Sequence, residues 1–489
     1  MPDPARQRGA VAGAAAAAAA MAFGEVVAVL VDPVPSLVDG MASAVIDHVP
    51  AWVERAAISL FGTADKIALG VGMVAVTLAV GAVVGRRWGP GVRAGLAFGL
   101  LGLGVGLVTG TDTAVPAGTA AIHGTASGLA GWLVLRWLLP SPTRPDPSRR
   151  RFVFSVLGTL GLAGLGGWWA VDRVRTSTPR VSVALPSPAE PARPAPTGIT
   201  APGVSPLVTP NRDFFRIDTA FLGPPVVDVA EWSLKVRGMV DREVVLTYQD
   251  LVELPMVERY VTLVCVSNEV GGELVGNALW LGVPLDRVLD LAGVDPRAEQ
   301  IVGRSVDGFT VGFPVAAAYD GRDALVAVGM NSEPLPLEHG FPARLVVAGL
   351  YGYVSATKWL SEIELTTWDA FDAYWVPRGW SKRAPVKIQS RIDVPRNGRS
   401  VDPGRVVVAG VAWAPPVGVG KVEVEVDGTW LEADLGPEVS PAAWRQWKLV
   451  WDATPGRHTL RVRATDRDGV CRSENLVPLL PTGRPAGTR

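Results

Sequence analysis

Five apolar stretches in the first 175 residues constrain this chain more than anything that follows them. They run over about 9–31, 66–85, 92–109, 117–139 and 152–171, and each is roughly long enough to cross ~30 Å of hydrocarbon as a helix. Lipid offers the backbone no hydrogen-bond partners, so segments of this kind have to be helical. Residues 1–175 are therefore expected to form an all-α transmembrane region of about five helices. The first segment is the weakest, because residues 14–20 are all alanine and Glu25 interrupts it. Between the first two stretches, "SLVDGMASAVIDHVPAWVERAAISLF" repeats its apolar residues at helical spacing among Asp39, Asp47 and Glu54, and reads as an interfacial helix.

Basic residues set the expected orientation. Arg6 and Arg8 precede the first stretch, Arg86, Arg87 and Arg93 lie between the second and third, and Arg136, Arg144 and Arg149 to Arg151 lie between the fourth and fifth. The alternate loops hold only Arg55 and Lys66, or no positive charge at all. The positive-inside rule then puts the N-terminus in the cytoplasm, and five crossings put everything after Arg173 outside. "SRRRFVF", Ser148 to Phe154, resembles a twin-arginine export signal, although arginines that merely anchor a span would look the same. The export reading gains weight if the following domain folds around a cofactor. His123 falls inside the fourth stretch, where an ionisable residue is a functional candidate by default. A haem held between spans would want a second intramembrane histidine, and the sequence has none.

Residues 176–208, with "PSPAEPARPAPTGITAPGVSP", are too rich in Pro, Ala, Ser and Thr to form a core and read as an extended tether. Beyond them the pattern is that of soluble domains. "EWSLKVRGMV" and "RYVTLVCVSN" are strand-like, "TYQDLVELP" reads as a short capped helix, and "VPLDRVLDLAGV" has helical spacing with a closing Gly. From about residue 383 to 482 short alternating strands such as "RVVVAGVAWA", "KVEVEVDGTW" and "HTLRVRATD" follow one another about every ten residues, the signature of a β-sandwich. An α+β domain over 209–382 followed by an immunoglobulin-like sandwich over 383–482 is the expected order.

Chemistry is restricted by what is scarce. The formal net charge of −1 gives no reason to expect a nucleic-acid partner. Two cysteines, Cys265 and Cys471, and four scattered histidines cannot build a disulfide scaffold, a linear zinc motif or an iron–sulfur cluster. Cys265 nevertheless closes a β-branched run and opens "SNEVGG". A small buried hydrophobe is the default for such a cysteine. The position also permits a thiolate facing a pocket, beside glycines that let backbone N–H groups approach an anion. A metal whose other ligands come from a cofactor would need only that one sulfur.

Residues from about 209 to 480 resemble the sulfite oxidase family of molybdopterin-dependent oxidoreductases. The resemblance is carried by "TPNRDFFRIDTA", "WSLKVRGMV", "TLVCVSNEVGG", "ALWLGVPLDRVL", "SVDGFTVGFP" and "MNSEPLPLEHGFPARLVVAGLYGYVSATKWLSEIEL". It implies a Mo-molybdopterin cofactor, with Cys265 as the metal-binding sulfur. By the same resemblance His339 and Arg344 of "HGFPAR" bind the pterin and its phosphate, Thr357 and Lys358 of "SATKWL" match a phosphate-contacting stretch, and Asn211, Arg212 and Asp307 line the cofactor. It further implies oxygen-atom transfer between water and a small oxo-acceptor or oxo-donor. The C-terminal sandwich matches the family's dimerisation domain, so a homodimer is expected.

Two departures bear on the substrate. Where sulfite oxidases follow the cysteine with arginines, this chain has Val266, Ser267, Asn268 and Glu269, and an acidic residue there disfavours a dianion. In "YWVPRGW", Trp380 takes the region of the family's active-site tyrosine and Arg378 is left as a candidate anion contact. Sulfite-oxidase-like chemistry and the reduction of a neutral sulfoxide or N-oxide both stand as expectations, and these departures give ground to the second. No haem-attachment or iron–sulfur motif is present, so a separate cytochrome or quinone-linked protein would exchange the electrons. Two rival readings are a membrane-anchored, non-enzymatic binding protein on the same scaffold and a cysteine-nucleophile hydrolase, which would need a base beside the thiol.

Overall fold

The computed structural model describes residues 3–31, 34, 36–49, 65–112, 116–139, 149–176, 183–219 and 223–471. They divide into two compact units, Met1–Pro179 with Thr219–Val226, and Arg180–Asp218 with Val227–Arg489.

The first unit is helical: Pro4–Leu30, Leu37–His48, Asp65–Trp88, Val92–Asp112, Ala117–Leu138 and Arg149–Thr176. Among the described residues four helices are long and apolar enough to cross a membrane, Ala5–Leu30, Ala68–Trp88, Val92–Gly110 and Arg150–Trp169. The fifth expected span does form a 22-residue helix, Ala117–Leu138, but Thr119, His123, Thr125, Ser127 and its glycines lower its apolarity. That helix turns its small and polar residues, Ala120, His123, Gly124, Ser127, Gly128 and Gly131, inward. Close backbone approach is the reason: a Cβ on Gly131 would stand 2.9 Å from the Ala16 carbonyl oxygen, and one on Gly9 2.7 Å from that of Gly85. Small residues at such crossings are how helices pack where no hydrophobic force drives them together. Val71, Val83, Leu100, Leu133 and Leu162 are left exposed on the outside, a surface suited to lipid.

Two ionisable residues within the apolar stretches, His123 and Glu25, have local partners. His123 Nε2 lies 3.1 Å from the Gly24 carbonyl, and Ser127 Oγ donates to the His123 carbonyl at 2.9 Å, so this histidine ties two helices together. Glu25 accepts from Ser36 Oγ at 2.8 Å and from the Val38 N–H at 3.0 Å. The carboxylate thereby caps helix Leu37–His48, whose first N–H groups need acceptors. That helix covers the first half of the expected interfacial segment; its second half, and Ser148 of the expected export signal, lie outside the described residues.

In the second unit the stretch read as a tether is held along its described part. The N–H groups of Ala189, Ile199 and Ser205 donate to the Met256 carbonyl, Gln446 Oε1 and Asp393 Oδ2 at 2.8, 2.7 and 2.8 Å. Proline supplies no donors, but the residues between prolines do, and here they find acceptors on folded strands.

Residues 233–366 form two sheets. The first has the order β2 (Val244–Thr247), β1 (Ser233–Gly238), β10 (Leu360–Thr366), β5 (Gln300–Ser305), β6 (Thr310–Pro314), with β1 and β10 parallel. The second is antiparallel: β3 (Val257–Val264), β4 (Val275–Pro284), β7 (Ala324–Met330) and β8 (Glu333–Pro334), with β9 (Arg344–Val347) also on β7. One apolar core, including Leu234, Val264, Val283, Ile301, Val326, Leu345 and Ile363, joins the two. The expected helices are present at Tyr248–Glu253, where Thr247 and Asp250 complete a capping box, and at Leu285–Asp290.

Past Gln389 the chain forms two further antiparallel sheets. One is β11 (Gln389–Val394), β12 (Gly404–Trp413), β16 (Arg445–Ala453) and β15 (Asp434–Leu435); the other is β14 (Thr429–Glu432), β13 (Val419–Val426) and β17 (Leu460–Asp466). Val408, Ala412 and Trp447 of the first share a core with Val422, Val424 and Ala464 of the second. This β portion is tied to its predecessor by Trp444. Its N–H donates to Thr262 Oγ1 at 2.7 Å, and its indole donates to the Leu207 carbonyl at 2.8 Å. Residues 472–482 of the expected sandwich lie outside the described residues.

Candidate functional site

β3 and β4 pair antiparallel from Val257 to Val264, and the chain that turns between them is the loop Cys265–Leu274. The Cys265 N–H donates to the Leu274 carbonyl at 2.9 Å, and the Cys265 carbonyl accepts from the Asn268 N–H at 3.0 Å. Asn268 is buried and its Oδ1 accepts the Leu274 N–H at 2.8 Å, which closes the loop from within. Gly271 sits at φ +79, a conformation side chains with a Cβ rarely adopt. The thiol is partly exposed, and burial pushes it above its ordinary value while Ser267 pulls weakly the other way. A hydrolytic nucleophile would also need a base, and none of the hydrogen bonds around Cys265 among the described residues brings a histidine to it.

A second group gathers around helical turn Leu337–His339. His339 Nε2 is 3.0 Å from the Asn211 carbonyl, and its ring meets Phe214 edge-on at 5.6 Å between centroids. Burial, with Arg344 and Lys358 nearby, pulls the imidazole down to about 4. It is therefore neutral at pH 7, and because a carbonyl can only accept, Nε2 carries the hydrogen. Asn211 is fixed in turn by Asn331, whose Nδ2 donates to its Oδ1 at 2.7 Å.

Two buried cations flank this histidine. Arg344 donates to the His339 carbonyl at 3.0 Å and stacks 5.0 Å from the Trp280 ring, and desolvation pulls it down to about 9. Lys358 Nζ donates to Asp218 Oδ2 at 2.7 Å and to the Glu338 carbonyl at 3.1 Å, and burial, only partly offset by Asp218, lowers it to about 8. Gly340, at φ +110, lets these segments meet: a Cβ there would stand 3.0 Å from Lys358 Cα and 3.1 Å from Arg344 Cβ. Trp359 holds φ +51, a left-handed conformation costing ~1–2 kcal/mol, and is kept there by a fully buried indole that donates to the Leu337 carbonyl. Beside it Thr357 is completely buried and its Oγ1 has no hydrogen-bond partner among the described residues.

The remaining expected residues are placed less centrally. Asp307 accepts from the Phe309 N–H at 3.2 Å in the β5–β6 turn, which reaches the Lys358 stretch through the Val306 N–H to Trp359 carbonyl bond of 2.9 Å. Arg212 is exposed and pairs with Asp213 at 3.5 Å. Arg378 folds back over the Tyr374 ring at 3.8 Å and donates to the Tyr374 carbonyl. Trp380 lies tilted against Tyr353 at 5.1 Å and against Trp375 at 5.4 Å between ring centroids, each at an interplanar angle of 59°. Tyr353 belongs to the short helix Gly352–Ser355, and a Cβ on Gly352 would stand 3.8 Å from the Val264 carbonyl, so this aromatic wall adjoins the end of the cysteine's strand. Reading the sequence alone missed Asp218, Arg216 and Tyr353. The only signal was the polar tail of "FFRID", where Arg216 pairs with Asp218 at 2.9 Å.

The residues around His339 fit an anionic cofactor. Arg344 and Lys358 are buried with Asp218 as the carboxylate that meets Lys358, a local excess of positive charge that an anion would relieve. The orphaned Thr357 hydroxyl adds a donor that an oxygen-rich ligand would satisfy.

Residues 221–375 match the model of the oxidoreductase molybdopterin binding domain. Mitochondrial sulfite oxidase of Mus musculus is 31% identical over 362 residues, covering 64% of this chain and 64% of that protein. Its counterpart in Rattus norvegicus is 31% identical over 290 residues, 50% of this chain and 52% of that protein, so the matches span less than two thirds of these relatives. The uncharacterized oxidoreductase YuiH of Bacillus subtilis is 32% identical over 160 residues, 33% of this chain and 77% of that protein. Among solved structures, the sulfane dehydrogenase SoxCD of Paracoccus pantotrophus aligns with a TM-score of 0.49 at 23% identity, over 56% of this chain and 79% of that one.

Proposed function

The chain belongs to the sulfite oxidase family of molybdopterin-dependent oxidoreductases, and from that premise we propose that it catalyses oxygen-atom transfer at the outer face of a membrane, reducing a neutral sulfoxide or N-oxide. It is an enzyme whose cofactor is Mo-molybdopterin. When bound, that group supplies the two-electron redox change that accompanies transfer of an oxygen atom. Two electrons and two protons convert a sulfoxide to a sulfide and water, and a separate cytochrome or quinone-linked protein delivers the electrons.

Cys265 would hold the metal. Asn211, Arg212, Asp307, His339, Arg344, Thr357 and Lys358 would hold the pterin and its phosphate. The observation that supports this assignment is the buried group itself: two desolvated cations with a single carboxylate between them, beside a hydroxyl with no partner among the described residues, an arrangement that a bound anion would complement. Arg378 and Trp380 face the substrate in this reading. Arg378 is already engaged by Tyr374, and Glu269 follows the cysteine, so a dianion such as sulfite would meet little net positive charge. The aromatic wall of Tyr353, Trp375 and Trp380 suits an uncharged apolar oxide instead.

The outer location rests on five crossings, with helix Ala117–Leu138 counted as a span and the arginines of "SRRRFVF" acting as an export signal. The domains are read as 1–175, 176–208, 209–382 and 383–482, the last an immunoglobulin-like module that pairs two copies into a homodimer. A non-enzymatic binder on this scaffold has no observation in its favour.

The full chain, made in a host that supplies the cofactor, tests the reading. Reduced viologen should be oxidised on addition of sulfoxides or N-oxides. Sulfite-dependent reduction of ferricyanide without sulfoxide turnover would reject the proposed direction and substrate.

A further inference from the structure

Arg391 is a residue of β11 in the C-terminal β portion, yet its guanidinium reaches the loop that carries Cys265. It is buried, and all three nitrogens are used. Nε donates to Asp393 Oδ1 and Nη2 to Ser205 Oγ, each at 2.7 Å, while Nη1 donates to the carbonyl of Gly272. Asp393 completes the frame by accepting the Ser205 N–H with its other oxygen at 2.8 Å. Gly272 is one end of the cysteine loop. From there the Gly272 N–H donates to the Glu269 carbonyl at 2.8 Å, and two residues on Leu274 bonds both to Asn268 and to the Cys265 N–H.

We propose that Arg391 is a positioning residue for Cys265, a planar clamp from the C-terminal β portion that fixes the glycine end of the loop and through it the direction of the sulfur. The loop holds two glycines in succession, Gly271 and Gly272, and such a backbone has more freedom than any other to relax. Its own bonds are few, so a charge-assisted bond from a buried guanidinium sets how often it opens. Lysine could keep the charge but not the three-way planar geometry. The inference rests on the reading of Cys265 as the metal-binding sulfur only in its consequence for the cofactor; the clamp itself acts on the thiol.

The test uses the full chain with Cys471→Ser, so that Cys265 is the remaining thiol. In protein made without cofactor, Arg391→Gln should speed alkylation of Cys265 by iodoacetamide about ten-fold, the opening expected from loss of one hydrogen bond to a charged group. In cofactor-loaded protein, Arg391→Lys should keep its molybdenum but show a shifted, heterogeneous Mo(V) paramagnetic signal. If Arg391→Gln does not fold, Ser205→Ala removes one of the three partners and should raise the alkylation rate to a smaller extent. An unchanged alkylation rate in folded protein together with an unchanged signal overturns the proposal. If Cys265→Ser leaves the Mo(V) signal untouched, the metal-binding reading fails, while a faster alkylation in the Arg391 variant still upholds the clamp.

Discussion

Lys358 and Asp218, separated by 140 positions in the chain, meet at 2.7 Å with both side chains almost entirely withdrawn from water. The pair sets the electrostatics of the candidate site, because Asp218 offsets one of two buried cations, whereas Arg344 donates to the His339 and Leu345 carbonyls and has no carboxylate partner among the described residues.

Removing that carboxylate should be costly. Asp218→Asn is expected to destabilise the cofactor-free chain by ~3–5 kcal/mol in urea unfolding at neutral pH, as an uncompensated buried ammonium does. Lys358 is already lowered to about 8, so at about pH 9 the lysine can shed its proton and the loss should shrink. A loss equal at both pH values would contradict the pairing.

Thr357→Val separates structural from ligand roles. The hydroxyl is buried without a partner, so its removal should leave the cofactor-free chain as stable as before, within ~1 kcal/mol, or slightly more stable. The same substitution should weaken cofactor retention, measured as molybdenum remaining after dialysis. Retention equal to the parent's would take Thr357 out of the cofactor site.

Acid sensitivity should report His339. Its folded value of about 4 lies below the ordinary 6.5, so on acidification the unfolded chain takes up the proton first. The contribution to stability is fully present above about 6.5, declines as pH falls from there to about 4, and is flat below that. His339→Gln should remove this segment from a plot of urea midpoint against pH.

Cys265→Ser should abolish most oxygen-atom-transfer activity while changing stability by no more than ~1 kcal/mol, since the serine hydroxyl is nearly isosteric and the site is partly open. Circular dichroism and turnover measured on the same sample decide it; retained turnover would remove the sulfur from the mechanism.

What the sequence made legible was local. His339 and Arg344 stand five residues apart, and the structure bonds one to the carbonyl of the other. The capping box at Thr247 and the loop after Cys265 were likewise readable from a few neighbouring residues. Contacts between distant segments were not: Asp218 on Lys358, Arg391 on Gly272 and Thr262 on Trp444 depend on sheet order, which a strand pattern leaves open. The contacts of the proline-rich segment were hidden for a related reason, because proline content describes what a segment cannot do alone and says nothing of acceptors waiting on a neighbouring fold. Helix Ala117–Leu138 shows the converse, a segment whose glycines weaken its apolar average and strengthen its packing.

The parallel pairing of β1 with β10 carries a lesson about biogenesis. A ribosome must release Leu360–Thr366 before β1 gains its second neighbour, and Thr357 and Lys358 emerge only just ahead of that strand. A nascent chain halted before Thr357 lacks both the strand that joins β1 to β5 and the Lys358 ammonium, although Arg344 is already present. Lys358 and the strand that joins β1 to β5 thus leave the ribosome within ten residues of one another, long after Cys265 has emerged.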